Sequence, residues 1–274
     1  MQRRVLCFDA HHDTVLSKAP GNGISLGAMH FPILASLVLA TILSSTAAPA
    51  ADTAVDLALV LAVDTSGSVD GGEYALQMDG IAAAFRSPDV IAAALSGPHG
   101  KIAINLMTWG DPDEKKYDTG WHVIASKQDA EDFAKLANTD LPREGGGTGI
   151  GIAMSYGIAL LRHAAFKASR QVIDVSGDGH ESWELREPHF KLPQAQALRA
   201  AAGVLVNGLA IVNDEPNLEE YYRNNVIGGP GSFVISVANY GEYAEGIHRK
   251  LLREILPPLS MLEIPLSATP SATE

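Results

Sequence analysis

Cysteine and basic residues are scarce in this chain of 274 residues. The only cysteine is Cys7, so the chain after it has no thiol, no disulfide and no thiolate metal site. The 20 Lys and Arg residues stand against 32 Asp and Glu residues, which gives a formal charge of −12. This balance argues against a nucleic-acid backbone or an anionic membrane surface as partner, because both are themselves negative.

The phosphate-binding motifs of common nucleotide enzymes are also missing. The glycine-rich stretch GGGTGIG at 145–151 does not give G-x-G-x-x-G in any frame, and no G-K-[ST] of a P-loop occurs. Hydrophobic residues make up 46% of the chain. This fraction is ample for a core and excludes disorder of the whole chain.

The first fifty residues have the features of an export leader. Residues 31–43 form an apolar stretch that is too short for a comfortable transmembrane helix, and APA at 48–50 has the small-x-small form read by signal peptidase. We expect cleavage after Ala50 and a periplasmic or secreted protein with no stable membrane span; a retained anchor is the alternative. The start is Met1 or Met29, since the segment before the apolar stretch is long and weakly basic.

Strand-like and helix-like segments alternate after the leader, which is typical of a mostly parallel sheet with helices on both faces. The pattern predicts an α/β, doubly wound, six-stranded sheet with strands at 55–63, 101–109, 121–125, 170–176, 204–211 and 232–237. Only a turn-rich loop separates the second and third strands, so the third is predicted to be antiparallel at the sheet edge. Helices are predicted at 73–86, from the Ser126 cap to 137, and at 148–166, 192–202, 217–223 and 240–256. The predicted domain is 51–262, followed by a flexible tail at 263–274.

A carboxylate and two hydroxyls follow the first predicted strand. Asp64, Ser66 and Ser68 alternate along the segment DTSGS, which begins where the apolar run ends. Ligands of α/β proteins bind at the carboxyl ends of strands, and side chains with only oxygen ligands suit a hard cation such as Mg²⁺. The segment therefore predicts half of a metal site, although by itself it is also compatible with a turn and helix cap.

Two later segments carry oxygen ligands of the same kind. Thr148 follows three glycines and is predicted to open the central helix, where the glycines let the backbone approach a bound group. Asp178 lies in the turn SGDG after the strand predicted at 170–176. The glycines alone are compatible with a flexible loop and Asp178 alone with an Asx-type turn, but the combination with DTSGS is specific.

Together these segments resemble the metal-ion-dependent adhesion site of the von Willebrand factor A fold. The resemblance covers residues 55–256 and implies that one divalent cation, Mg²⁺ or else Mn²⁺ or Ca²⁺, is bound by Asp64, Ser66, Ser68, Thr148 and Asp178. It implies further that the cation captures an Asp or Glu of a protein partner, and that closure of the site is coupled to sliding of the last helix, 240–256. Rigid binding remains an alternative to this switch.

More narrowly, the segments VLAVDTSGSVD and VIDVSGDG resemble a bacterial exported subfamily of such domains whose role is not defined. The partner expected from the resemblance is a protein, and neither nucleic acid nor membrane is expected to bind. Outside the partner complex we expect a monomer.

An enzyme is the first alternative function. The turn Gly177-Asp178-Gly179 also resembles the metal-binding turn of haloacid-dehalogenase-like phosphatases. That family needs a second Asp two positions after its nucleophile, and Ser66 stands there, so the general acid is missing. His180 and Glu181 are candidate metal ligands or acid and base, with a solvent-facing loop as the alternative. We expect no enzymatic activity.

A metal-independent structural or interaction module of the cell envelope is the second alternative. Trp183 and Phe190 follow Asp178 among charged residues, and exposed aromatic side chains near a ligand site are candidate anchors for a partner. They are equally compatible with packing under their loop. Trp109 and Gly110 end the second predicted strand and are expected to shape the rim of the same edge.

Overall fold

The computed structural model describes residues 54–139, 141–182 and 190–256. The predicted leader, the predicted tail and Trp183 lie outside these residues. The helices are α1 (Gly71–Arg86), α2 (Pro88–Ala94), α3 (Lys127–Ala137), α4 (Ile150–Arg162), α5 (Leu192–Ala202), α6 (Leu218–Tyr221) and α7 (Tyr243–Ile255). The strands are β1 (Ala54–Val55), β2 (Leu57–Asp64), β3 (Ile102–Trp109), β4 (Tyr117–Asp118), β5 (His122–Ile124), β6 (Lys167–Ala168), β7 (Gln171–Gly177), β8 (Leu205–Ile211) and β9 (Val234–Val237).

The main sheet has the strand order β4-β3-β2-β7-β8-β9, and β5 also pairs with β3. The neighbouring strands β3, β2, β7, β8 and β9 are parallel. Strands β4 and β5 each pair with β3 in the antiparallel direction. The predicted doubly wound sheet with an antiparallel edge is confirmed. Its described part has seven strands and not six, because Tyr117 and Asp118 in the turn-rich loop also pair with β3. A separate pair joins β1 to β6.

All residues of the central strand β2 are buried, so both faces of the strand are covered. Leu57, Leu59 and Leu61 belong to the core cluster that α1, α3 and α7 share. Ala58 and Val60 point to the opposite cluster, which α4 and α5 share. A near-continuous apolar strand covered by helices on both sides is what a parallel sheet requires.

Several helix boundaries differ from the sequence prediction. The first helix begins at Gly71 and not at 73, the central helix ends at Arg162 and not at 166, and α6 occupies only Leu218–Tyr221 of the predicted 217–223. The central helix α4 begins at Ile150 and not at Thr148, because Gly149 is its N-cap with a non-helical backbone and the backbone of Thr148 pairs with Ser182 instead. The last predicted helix is divided into a 3₁₀ turn, Tyr240–Glu242, and α7.

The short helix α2 was not predicted. Ser87 ends α1 and caps α2, whose first residue is Pro88. Ser followed by Pro is a recognised start signal for a helix, so the start of α2 can be read from the sequence. No helix among the described residues is long and apolar enough to span a membrane.

The register of the sheet brings the carboxyl ends of the central strands level with one another. Asp64 pairs with Trp109 of β3, and Val63 pairs with Ser176 of β7. The loops that follow β2, β3 and β7 therefore leave the sheet at the same edge. This edge is where an open α/β sheet binds ligands.

Candidate metal centre

The loops after β2 and β7 meet through a chain of hydrogen bonds. The Ser66 N–H donates to Asp64 Oδ1 at 2.7 Å. The hydroxyl oxygens of Ser66 and Ser68 are 3.2 Å apart, and the Ser68 hydroxyl donates to Asp178 Oδ1 at 2.7 Å. Four of the five residues predicted to bind the cation are thus brought together by these two loops.

Thr148, the fifth predicted ligand, is held against the loop after Asp178. Its N–H donates to the Ser182 carbonyl, and its own carbonyl accepts from the Ser182 N–H, both at 2.9 Å. A β-carbon built on Gly179 would lie 3.6 Å from Thr148 Oγ1. The threonine hydroxyl therefore lies next to the turn that carries Asp178, although Thr148 precedes α4 and is not part of it.

A carboxylate that the sequence did not reveal positions the glycine loop. The Asp111 N–H donates to the Gly145 carbonyl at 3.0 Å, and Asp111 Oδ2 accepts from the Gly147 N–H at 3.1 Å. A β-carbon on Gly110 would lie 2.8 Å from the Gly145 carbonyl oxygen. Gly110 therefore lets β3 approach the loop, and Asp111 fixes the backbone immediately before Thr148.

Trp109 lies beneath this edge and not at its rim. Its side chain is fully buried, and a β-carbon on Gly177 would lie 3.2 Å from its ring. The indole Nε1 has no hydrogen-bond partner among the described residues. The prediction that Trp109 shapes the rim is therefore wrong for its side chain, which forms part of the core under the site.

The two carboxylates of the centre are held differently. Both oxygens of Asp178 accept hydrogen bonds, Oδ1 from Ser68 and Oδ2 from the Tyr240 hydroxyl at 3.0 Å. Asp64 is fully buried, and its Oδ2 has no hydrogen-bond partner among the described residues. Burial, and then the nearby charge of Asp178, raise the pKa of Asp64 to about 8.

This imbalance fits a bound cation. A buried carboxylate oxygen with no partner is costly, and a second carboxylate nearby adds repulsion. No group of three or more His, Cys, Asp or Glu side chains suited to a metal occurs in the described part of the chain, so hydroxyl oxygens would have to complete the ligand set. Two carboxylates with three hydroxyls form an oxygen-only set that suits Mg²⁺ or a similar hard cation.

Glu181 joins two helices and does not face solvent freely. Its Oε1 accepts from the Gly151 N–H at 2.8 Å in the first turn of α4, and its Oε2 accepts from the Leu192 N–H at 3.0 Å at the start of α5. The ring of His180 packs against the ring of Tyr221 at a tilt of 39°, with 4.1 Å between ring centroids. Within the described residues, neither side chain forms a hydrogen bond with a predicted cation ligand.

Of the two aromatic residues considered as anchors, Phe190 is half-buried and packs against the core cluster of α4 and α5. This contact favours packing into the core over the role of an exposed anchor. Trp183 lies outside the described residues, so its role stays a prediction.

Comparisons with known proteins bear on the fold and the family. A family model described as a protein of unknown function (DUF1194) matches residues 54–259. No match was found among curated proteins.

Among solved structures, the pilus adhesin SpaC from Lactobacillus rhamnosus GG is 14% identical with a TM-score of 0.52, over 73% of this chain and 30% of that chain. Proximal thread matrix protein 1 from the mussel byssus is 13% identical with a TM-score of 0.51, over 74% of this chain and 47% of that chain. The chain thus spans less than half the length of either protein. At these identities the similarity shows the fold alone, which is von Willebrand factor A-like, in agreement with the sheet order.

Proposed function

The chain belongs to the DUF1194 family, whose description assigns no role, and we propose that it is a metal-dependent protein-binding module that captures an acidic side chain of a partner. The observation that supports this proposal most directly is the buried Oδ2 of Asp64. It has no partner of its own and lies beside the turn of Asp178, since a β-carbon on Gly177 would be 2.7 Å from it. A bound cation would supply the interaction that this buried oxygen lacks.

The cation would be Mg²⁺, or else Mn²⁺ or Ca²⁺, and its ligands would be Asp64, Ser66, Ser68, Thr148 and Asp178. With two carboxylates as the only anionic ligands, a divalent cation keeps affinity for a further carboxylate. The chain's own contribution is to fix these ligands before a partner arrives. The Ser66 N–H orients Asp64, and Ser68 and Tyr240 orient Asp178.

The same sequence arguments extend the proposal to location and domain organisation. We propose an exported protein, cleaved after Ala50, whose binding domain is 51–262 with a tail at 263–274. Neighbours of similar fold include a pilus adhesin and a byssus matrix protein, which supports a role in protein interaction. We propose that the protein is not an enzyme, because Ser66 occupies the position at which a phosphatase of the haloacid-dehalogenase type needs its second Asp.

Calorimetric titration of Mg²⁺, Mn²⁺ and Ca²⁺ into the chelator-treated, exported protein tests the first half of the proposal. We expect one binding site in the parent and at least about tenfold weaker binding in Asp64→Asn and Asp178→Asn, since each replaces an anionic ligand. Asp132→Asn is the matched control, because Asp132 is an exposed acid on α3. Equal binding by Asp178→Asn and the control would contradict the site.

Affinity capture from an envelope extract, with Mg²⁺ and with chelator, tests the second half. A partner that binds only with Mg²⁺, and not to Asp178→Asn, supports capture through the cation. A partner that binds equally well in chelator identifies a metal-independent interaction module, which is the remaining alternative.

A further inference from the structure

Two loops beside the candidate metal centre carry exposed acidic side chains that are not among its proposed ligands. Asp70 lies two residues after Ser68, and its side chain is exposed. Glu242 is also exposed and lies two residues after Tyr240, whose hydroxyl donates to Asp178. Both acids are therefore tied through short stretches of backbone to residues of the centre.

Two further loops repeat this arrangement. Glu114 is exposed and follows Asp111 by three residues, and Asp111 accepts the hydrogen bond of the Gly147 N–H. On the other side, Glu215 Oε2 lies 3.9 Å from Nδ1 of His180, which follows Asp178 by two residues. The centre is thus bordered by carboxylates on the loops after β2, β3, β8 and β9.

The cations on these loops do not offset the carboxylates. Lys116 is buried in an ion pair with Glu144 at 2.6 Å. Lys115 is exposed, with its ammonium 5.3 Å from the centre of the Tyr117 ring. Arg143 is also exposed and lies 5.7 Å from the centre of the Tyr74 ring. On the described loops of this edge, the exposed acids outnumber these exposed cations: Asp70, Asp113, Glu114, Asp214 and Glu242.

On the basis of the proposed function, we infer that the partner presents its single acidic residue within a basic segment, with Lys or Arg on both sides. Adjacent strands are about 4.8 Å apart, so the loops after β3, β2, β7, β8 and β9 span about 20 Å. An extended peptide of about six residues covers that length. Residues that flank the captured acid therefore lie over the acidic loops, which repel carboxylates and attract lysine or arginine.

Four immobilised peptides test this inference directly: GKKDKKG, GSSDSSG, GEEDEEG and GKKNKKG. Binding of the exported protein is measured with Mg²⁺ and with chelator, at low and high salt. We expect GKKDKKG to bind about tenfold tighter than GSSDSSG at low salt, since several exposed ion pairs contribute up to about 1 kcal/mol each. GEEDEEG is expected to bind weakest. Because the charges are exposed, the differences should shrink at high salt.

A pair of variants with equal charge change locates the effect. Glu114→Gln/Glu242→Gln removes two carboxylates beside the centre, and Gln at 242 keeps an oxygen that can accept from the Ala238 N–H. We expect this variant to lose most of the preference for lysine. Glu131→Gln/Asp132→Asn on α3 is the matched control and should keep the preference, since both residues lie outside the loops of this edge.

The outcomes separate the inference from the proposed function. If GSSDSSG binds as tightly as GKKDKKG with Mg²⁺, if both variants lose the preference equally, or if no peptide binds, the inference is overturned. In the first case capture of an Asp through the cation still stands. If GKKNKKG binds as tightly as GKKDKKG, or if chelator changes nothing, capture through the cation fails while the preference for a basic segment stands.

Discussion

Single atoms distinguish the two carboxylates of the candidate centre. Asp178 has both oxygens hydrogen-bonded, whereas Asp64 has one bonded oxygen and one buried oxygen without a partner in the described structure. The space around that oxygen is limited by the glycine that precedes Asp178. A β-carbon on Gly177 would lie 2.7 Å from Asp64 Oδ2 and 2.7 Å from the Tyr222 hydroxyl oxygen. Glycine at this position is therefore required by close packing.

Gly177→Ala is expected to destabilise the protein by about 1–3 kcal/mol, the usual cost of adding a methyl group to a packed interior. Mg²⁺ binding should weaken as well, because relief of the clash displaces Asp64. Gly179→Ala is the matched control, since a β-carbon there meets only ordinary contacts of 3.6 and 3.8 Å with Thr148. Urea unfolding in chelator gives the stability, and calorimetry gives the Mg²⁺ affinity. Equal losses in the two variants would contradict this account.

Secondary-structure elements near the centre are connected by one side chain, Glu181. Its two oxygens accept from the first turn of α4 and from the first residue of α5. Its own N–H donates to the Tyr221 hydroxyl in α6 at 3.1 Å. The acid therefore satisfies N–H groups at two helix N-termini, where an acidic side chain is favoured by the helix dipole. It also fixes the loop on which Ser182 pairs with Thr148.

Glu181→Ala should lower the free energy of unfolding by about 1–3 kcal/mol, because two partly buried N–H groups lose their acceptor. Glu215→Ala is the control, because it removes an acid from the neighbouring loop. The only described partner of the Glu215 side chain is His180 at 3.9 Å, so we expect the free energy of unfolding to change by no more than about 0.5 kcal/mol. Denaturant titrations of the two variants give both values. A loss for Glu215→Ala as large as that for Glu181→Ala would argue against the joining role.

The elements show which features a sequence can predict. The long strands were predicted because a strand buried on both faces reads as a continuous apolar run, as in β2. The two-residue strand β4 has no periodicity to detect. Asp111 and Tyr240 were missed for another reason: each acts on the centre only through contacts with residues 36 and 62 positions away in the chain. The loops that carry the predicted ligands do meet, while binding of the cation itself remains a prediction.

At the scale of the molecule, two lysines are buried within the described part of the chain, and each is paired with at least one carboxylate. Lys250 of α7 contacts Asp174 of β7 at 2.7 Å and Glu254 at 2.6 Å. Lys116 contacts Glu144 at 2.6 Å near the candidate metal centre. Burial, partly offset by its lysine, raises the pKa of Glu254 to about 7 and that of Glu144 to about 7. The folded protein therefore holds protons on these groups at a pH where the unfolded chain has released them.

The free energy of unfolding is expected to fall as the pH rises from about 5 to about 8. A carboxyl whose folded pKa is raised adds stability that is fully present below its unfolded pKa and is lost as the pH passes through the folded value. Glu144→Gln/Glu254→Gln should lose the part of this slope that the two carboxyls cause, since Gln does not titrate. Urea unfolding in chelator at several pH values measures the slope.

The control for this experiment is Glu131→Gln/Asp132→Asn, which also removes two carboxylates. Their pKa values are lowered, Glu131 by Arg86 and Asp132 by Lys135. A lowered carboxyl pKa adds stability that is lost only as the pH falls through that lowered value, which lies below the ordinary carboxyl pKa. The control should therefore keep the slope of the parent between about pH 5 and 8. If Glu144→Gln/Glu254→Gln keeps that slope too, the two buried carboxyls are ionised throughout the range, and the lysines must hold their charges in place.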